Sequence, residues 1–196
     1  MVTAHTSETS TDSCLIEAAI RSALVSFGQM FPQGSLVLKG QDFIPSSAAA
    51  RFCLQQLRYD GVEIALSLSG RIPGTFILAL DNKAAQQLIA ALTGGSTTAP
   101  GFNEMARSAL KEAGNIVASA FLGALESLCG RGGLPGVPAL HLGGSCHVDS
   151  GPAEESCLMY ALPLFLVAPA GGENAARGGL FISPHADDSA LSFGSL

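Results

Sequence analysis

Ser108-Ala-Leu-Lys-Glu112-Ala-Gly-Asn115, followed after twenty-two further residues by Pro138, sets a carboxylate and a carboxamide one turn apart in an alanine-rich segment. A helix turns about 100° per residue, so positions three and four apart share a face. Ser108, Glu112 and Asn115 therefore line up, and Ser119 continues the stripe. Leu110, Val117, Phe121 and Leu128 fall on the opposite side, where they can dock on a core. Such a helix holds a Glu and an Asn rigidly at a surface, an arrangement suited to placing a water or gripping a partner. Asn103 stands where a cap is needed, and Glu104 sits at the positive end of the helix dipole. Gly130-Arg-Gly-Gly133 ends the helix.

Working outward, residues 1–11 read as a flexible tail. Asp12 can cap a first long helix to about Met30, with Leu15, Ile16, Ala19, Ala23 and Phe27 on one side. Pro32-Gln-Gly34 stops it, Ser35–Lys39 is a short strand, and Ala48–Leu57 has a helical pattern after the loop at Phe43-Ile-Pro45. Val62-Glu-Ile-Ala-Leu-Ser-Leu-Ser69 alternates as a strand with one buried face. Gly70-Arg-Ile-Pro-Gly74 is a turn, and Thr75–Leu80, apolar throughout, returns as a central hairpin partner. Asp81 or Asn82 caps a helix through Leu92, which Gly94-Gly95 ends. Ser96–Gly101 has linker composition. Beyond the motif helix, Leu140–Asp149, Ser156–Val167 and Gly179–Ser183 read as strands, Gly171–Gly179 as a loop, and Asp187–Phe193 as a short final helix.

The order of elements repeats. Each half, about 12–95 and 102–196, reads long helix, three strands, helix. The expectation is a single α/β (α+β) domain over residues 12–196: two pseudo-repeated α-β-β-β-α halves forming one long antiparallel sheet, with the two long helices packed on one face.

Bulk composition excludes several functions. Of 196 residues, 47% are apolar and only 13% charged, so a sizeable core is available and global disorder is excluded. The net charge of -6, the lack of a basic run and the absence of tryptophan argue against a nucleic-acid partner. Cys14, Cys53, Cys129, Cys146 and Cys157 are scattered, without C-x-x-C, and read as buried free thiols in a reducing compartment. The polar start is unlike a signal peptide, and the apolar run Cys157–Pro169 is too short to span a bilayer. A cytoplasmic protein without a membrane partner is expected.

The spacing Ser-x-x-x-Glu-x-x-Asn, then twenty-two residues, then Pro, at Ser108, Glu112, Asn115 and Pro138, resembles the CheC/CheX family of chemotaxis phosphatases. The resemblance extends to Lys111–Phe121 and to the Gly70-Arg-Ile-Pro-Gly-Thr-Phe-Ile-Leu78 hairpin; it covers about residues 12–193 and is strongest over 104–138. It implies removal of phosphate from the phospho-aspartate of a CheY-like response-regulator receiver in two-component signalling. On that resemblance Asn115 is the catalytic residue that orients the attacking water. Glu112 is implied to engage the receiver's lysine, with Ser108 and Ser119 along the same partner-binding edge. This chain would bind no cofactor, and the receiver would supply Mg²⁺. The chemistry is consistent: an acyl phosphate is already reactive, and its catalyst mostly places a water in line. A neutral carboxamide offers a donor and an acceptor for that task, whereas a carboxylate there would repel the phosphoryl oxygens.

The first half carries Ser13-x-x-x-Glu17, but Ile20 replaces the Asn and Phe43 the Pro, with Pro45 nearby. This reads as a degenerate site, making the chain more CheX-like than two-site CheC-like; the resemblance also leaves a homodimer open. Gly114 inside the helix invites close approach of another backbone. Two rivals stand beside the phosphatase. One is a non-catalytic binding module or flagellar-switch adaptor of the same fold. The other is a metal enzyme built on His141, Cys146, His147 and Asp149, which strand alternation opposes by pointing Cys146 and His147 to opposite faces. The glycine runs lack the Lys-Ser/Thr of a phosphate loop, and no Ser lies in a G-x-S-x-G context.

Overall fold

The computed structural model describes residues 5–31, 37–58, 61–70, 72–94, 102–130, 132–143, 159–167 and 176–185. In chain order the elements are α1 (His5–Gln29), β1 (Val37–Gly40), α2 (Ser47–Arg58), β2 (Val62–Leu68), β3 (Gly74–Leu80) and α3 (Asn82–Thr93). They continue with α4 (Glu104–Cys129), β4 (Ala139–Leu142), β5 (Tyr160–Val167) and β6 (Ala176–Pro184).

Local chemistry accounts for the helix ends. The Asp81 carboxylate accepts the Ala84 N–H at 2.7 Å at the start of α3, and the Asn103 side chain accepts the Ala106 N–H at 2.8 Å at the start of α4. Each bond satisfies one of the orphan donors of a first turn. Both helices finish on a left-handed glycine, Gly94 and Gly130, whose N–H groups donate to the carbonyls of Ala90 and Glu126. Helix α1 begins at His5, within the stretch read as a tail, and Asp12 lies inside it rather than capping it. No Gly or Pro interrupts residues 5–12, and extending an existing helix adds one hydrogen bond per residue fixed.

The six strands form one antiparallel sheet in the order β1-β5-β6-β3-β2-β4. The hairpin β2–β3 pairs from Val62↔Leu80 to Leu68↔Gly74, and its counterpart β5–β6 from Tyr160↔Ile182 to Leu166↔Ala176. The hairpins meet at β3–β6 in the sheet centre. Each flanking strand crosses over: β1 pairs with β5 of the second half, and β4 with β2 of the first. The halves are thus interlocked about a pseudo-two-fold running between β3 and β6. The helical pattern at Ala48–Leu57 is α2, which stands between β1 and β2.

The two long helices do share a face. Ile16, Ile20, Ala23 and Phe27 of α1 and Leu110, Val117, Phe121 and Leu125 of α4 are buried with Val62, Ile64, Leu66, Phe76, Leu78 and Leu162, and α3 joins them through Ala84, Ala85 and Leu88. The Phe76 and Phe121 rings lie 5.7 Å apart across this layer. Leu128, assigned to the core from periodicity, is about half-exposed instead, because the last turn of α4 runs past the buried part of the layer. The opposite sheet face is covered by α2, whose Ala50, Leu54 and Leu57 pack on Ile77, Ala79, Ala161 and Phe181. Strands β3 and β5 are therefore apolar on both sides, as strands covered on both faces must be.

Three further readings change. The last strand begins at Ala176 and not at Gly179, so Gly178 belongs to it together with Gly179 and not to a loop. Their ladder partners on both sides, Leu80 and Ala79 in β3 and Leu164 and Pro163 in β5, override the weak strand preference of glycine. The free thiol of Cys14 is exposed and those of Cys53 and Cys129 are half-buried, so these three are not core cysteines. Cys14 lies on the outward side of α1, away from the Ile16–Ala19–Ile20 stripe. Cys146, Cys157, Ser96–Gly101 and Asp187–Phe193 lie outside the described residues. Among the described residues no helix is long and apolar enough to cross a membrane.

Candidate functional site

Helix α4 turns its buried stripe to the sheet and leaves Ser108, Lys111, Glu112 and Asn115 on its outer side. Together with Pro135, Gly136, Val137 and Pro138 these residues line an open groove of about 490 Å³. Both walls of the groove are fixed to the same strand. One wall, α4, approaches β2 at Gly114, where a Cβ would collide with Ile64 Cγ2. Only a glycine permits that approach, although it costs about 1 kcal/mol of helix propensity. The element admitted is a side chain of the sheet, not a second backbone.

The other wall is the loop entering β4. Its Gly136 N–H donates to the Ser67 carbonyl at 2.7 Å, and the Ser69 N–H donates to the Leu134 carbonyl at 3.1 Å. The Ser69 hydroxyl also donates to the Leu134 carbonyl, at 3.0 Å, and the Leu134 N–H reaches Ser69 Oγ at 3.3 Å. A bridge pairs Leu68 with Pro135. The β2–β4 ladder is in effect prolonged along the loop, and Pro135 and Pro138 stiffen it by fixing their own φ angles.

Three of the four residues singled out on the stripe meet in this groove. Ser108 and Glu112 are exposed and Asn115 is half-buried. Ser119 is exposed one turn further along and does not line it. Among the described residues, neither Glu112 nor Asn115 has a side-chain hydrogen-bond partner, so the fold does not consume their polar atoms. Pro138, matched by spacing, closes the groove at the foot of β4.

The sequence reading did not single out Lys111 or the Pro135-Gly-Val137 edge. Lys111 had a signal: it stands four residues before Asn115 and so shares its face. Lys111 and Glu112 are successive residues, about 100° apart, and they diverge to either side of the Asn115 carboxamide. An ammonium, a carboxylate and a neutral amide thus converge on one opening. This set can orient a water and meet both a cation and an anion, but it offers no strong nucleophile.

The first half shows why its counterpart lacks that chemistry. Glu17 accepts two bonds from Arg21, at 2.9 Å from Nε and 2.7 Å from Nη2, which satisfies the carboxylate within α1 itself. Ile20 is fully buried in the core, and Phe43 stacks on Tyr160 with ring centres 5.9 Å apart. The nearby groove, about 520 Å³, is lined by Arg21, Gly40, Gln41, Asp42, Ile44 and Pro163, with no stripe of Glu and Asn.

His141 is on β4 opposite Glu63, while Cys146, His147 and Asp149 lie outside the described residues. Among the described residues no group of three His, Cys, Asp or Glu side chains is placed to share a metal ion.

No protein-family model and no curated protein matches the chain. Solved structures do. FliY of Thermotoga maritima superposes with a TM-score of 0.64 at 16% identity, over 93% of this chain and 92% of that one. CheX of Borrelia burgdorferi, solved as a CheX–CheY–BeF3–Mg complex, gives 0.58 at 19% identity, over 87% and 97%. The FliM middle domain of Vibrio alginolyticus gives 0.56 at 12%, over 87% and 90%. The chain, with its six-stranded antiparallel sheet and two long helices side by side on one face, therefore has the fold of these FliY, CheX and FliM structures.

Proposed function

We propose that this protein is a phosphatase acting on the phospho-aspartate of a CheY-like receiver domain. The observation that carries the reading is the groove itself. Ser108, Glu112 and Asn115 of α4 and Pro138 of the loop are brought to one open edge, with polar atoms the fold leaves unused. Asn115 enters the receiver's site and holds the attacking water in line with the phosphorus, donating through its amide N–H and accepting through its carbonyl oxygen. Water then attacks phosphorus as the bond to the aspartyl oxygen breaks. The aspartate carboxylate and inorganic phosphate leave, and Mg²⁺ held by the receiver meets the developing charge. Glu112, one turn away, engages a lysine of the receiver and keeps its own charge off the phosphoryl oxygens. That one of the similar structures is a complex with CheY supports a receiver as the partner.

The test is to time phosphate loss from a phosphorylated receiver with the wild-type chain and with Asn115→Ala. The variant is expected to abolish the acceleration while its Tm stays at the wild-type value, because the Asn115 side chain is not part of the core. An unchanged dephosphorylation rate in the variant would remove the assignment.

A binding module without catalysis is the second reading. Its support is the presence of FliY and the FliM middle domain among the similar structures. In that case the wild-type chain would bind a receiver without shortening the lifetime of its phosphoryl group.

A further inference from the structure

The most exposed large apolar side chain among the described residues stands at the edge of the groove. Val137 is 90% accessible, and Leu134, three residues earlier in the same loop, is 74% accessible. A solitary apolar residue on a surface needs no explanation. Val137 differs in two ways. It shares one groove with Asn115 and Glu112. It is also held out by a loop with no freedom to fold it away. Leu134 and Gly136 on its approach are hydrogen-bonded to Ser69 and Ser67 of the β2 segment, and Pro138 follows it directly. A mobile loop would let such a side chain collapse onto the protein; this one cannot.

Rigid presentation matters because immobilising a side chain on binding costs free energy, and that cost is already met here by the fold. Apolar anchors at the centre of an interface, set among polar groups, carry a large share of binding energy. The polar groups of this groove cannot supply much affinity, since exposed charges in water are worth little.

We infer that Val137 is the docking and specificity residue of the groove. It inserts into an apolar hollow bordering the phosphorylated carboxylate of the receiver, and so selects which receiver is accepted. The inference rests on the phosphatase reading and adds to it a division of labour: Val137 binds, Asn115 reacts. Partners whose surface is charged at that hollow are rejected, because they would be desolvated against a valine.

The experiment uses the full chain, a receiver that the wild-type dephosphorylates, and the variants Val137→Asp, Val137→Ile and Asn115→Ala. Val137→Asp should lower kcat/KM about tenfold or more through KM, with kcat at saturation within about twofold of wild-type. Val137→Ile should keep activity, and Asn115→Ala should keep receiver binding while losing turnover. All three should unfold at the wild-type midpoint, since residue 137 makes almost no contact within the chain and the Asn115 side chain lies outside the core. Wild-type kinetics for Val137→Asp, alongside an inactive Asn115→Ala, overturns this inference and leaves the phosphatase reading standing. A Val137→Asp variant that loses kcat and not KM also overturns it. Failure of the wild-type chain to accelerate decay of any receiver overturns both.

Discussion

Gly114→Ala sets two opposed effects against each other, and the structure decides the sign. Helix propensity alone favours alanine by about 1 kcal/mol. Against it, the new Cβ would collide with Ile64 Cγ2, about 1 Å inside ordinary contact, and stand 3.3 Å from Ile64 Cβ. Ile64 cannot swing away: it is fully buried, its β-branched side chain is stiff at χ1, and its strand is paired on both sides, to Leu78 and to Leu140. Overpacking costs about 1–3 kcal/mol, and a neighbour that cannot move puts this site in the upper part of that range, about 2–3 kcal/mol; less the propensity gain, a net loss of about 1–2 kcal/mol is expected, seen as a urea midpoint lower by about 0.5–1 M. Activity should fall further than stability. The loop wall stays hung on Ser67 and Ser69 while α4 lifts off β2, so the groove opens by up to about 1 Å at Asn115. A misplacement of that size can cost about a hundredfold in rate. Ile64→Ala in the same chain should relieve the strain, and the double variant should lie more than about 1 kcal/mol above the sum of the singles. The assays are urea unfolding and receiver dephosphorylation at a temperature where every variant is folded. A raised midpoint in Gly114→Ala, or strict additivity with Ile64→Ala, would refute the packing argument and leave only propensity.

The remaining predictions concern the frame and the degenerate half. Asp81→Ala removes both the α3 cap and the acceptor of the Arg177 N–H, at 2.7 Å each, and should cost about 1–2 kcal/mol in thermal unfolding; Asp81→Asn should recover only part of it, because Oδ1 and Oδ2 each accept one bond and a carboxamide has a single oxygen. Ile20→Asn would complete by sequence the Glu-x-x-Asn pattern that begins at Glu17, yet it should lower stability by at least about 2 kcal/mol and add no second activity, because position 20 faces the core and not the solvent. A second active site in that variant, read with Asn115→Ala in the same chain, would contradict the burial argument. Together with the outcomes for Asn115→Ala and Val137→Asp, these measurements separate turnover, docking and scaffold.

Much of this protein is written locally. The Asp81 and Asn103 caps, the glycines closing α3 and α4, the alternating strand at 62–69 and the Ser108–Glu112–Asn115 stripe are each set by residues a few positions apart. Signals of that range need nothing from the rest of the chain, and the structure reproduces them, except that the strand read with one buried face is covered on the other too, where Glu63 is buried and Ala65 half-buried. The long-range arrangement had no such signature. That β1 joins the second hairpin and β4 the first depends on pairings such as Val37↔Val167, between residues far apart in sequence. The placement of α2 on the far face, the extension of the last strand back through Gly178 to Ala176 and the exposure of Leu128 follow from that arrangement, because burial is a property of neighbours and not of residue type. The same holds at the groove. The sequence alone put Glu112 and Asn115 on one side of a rod; only the packed sheet brought a proline-braced valine, twenty-two residues beyond Asn115, to stand opposite them.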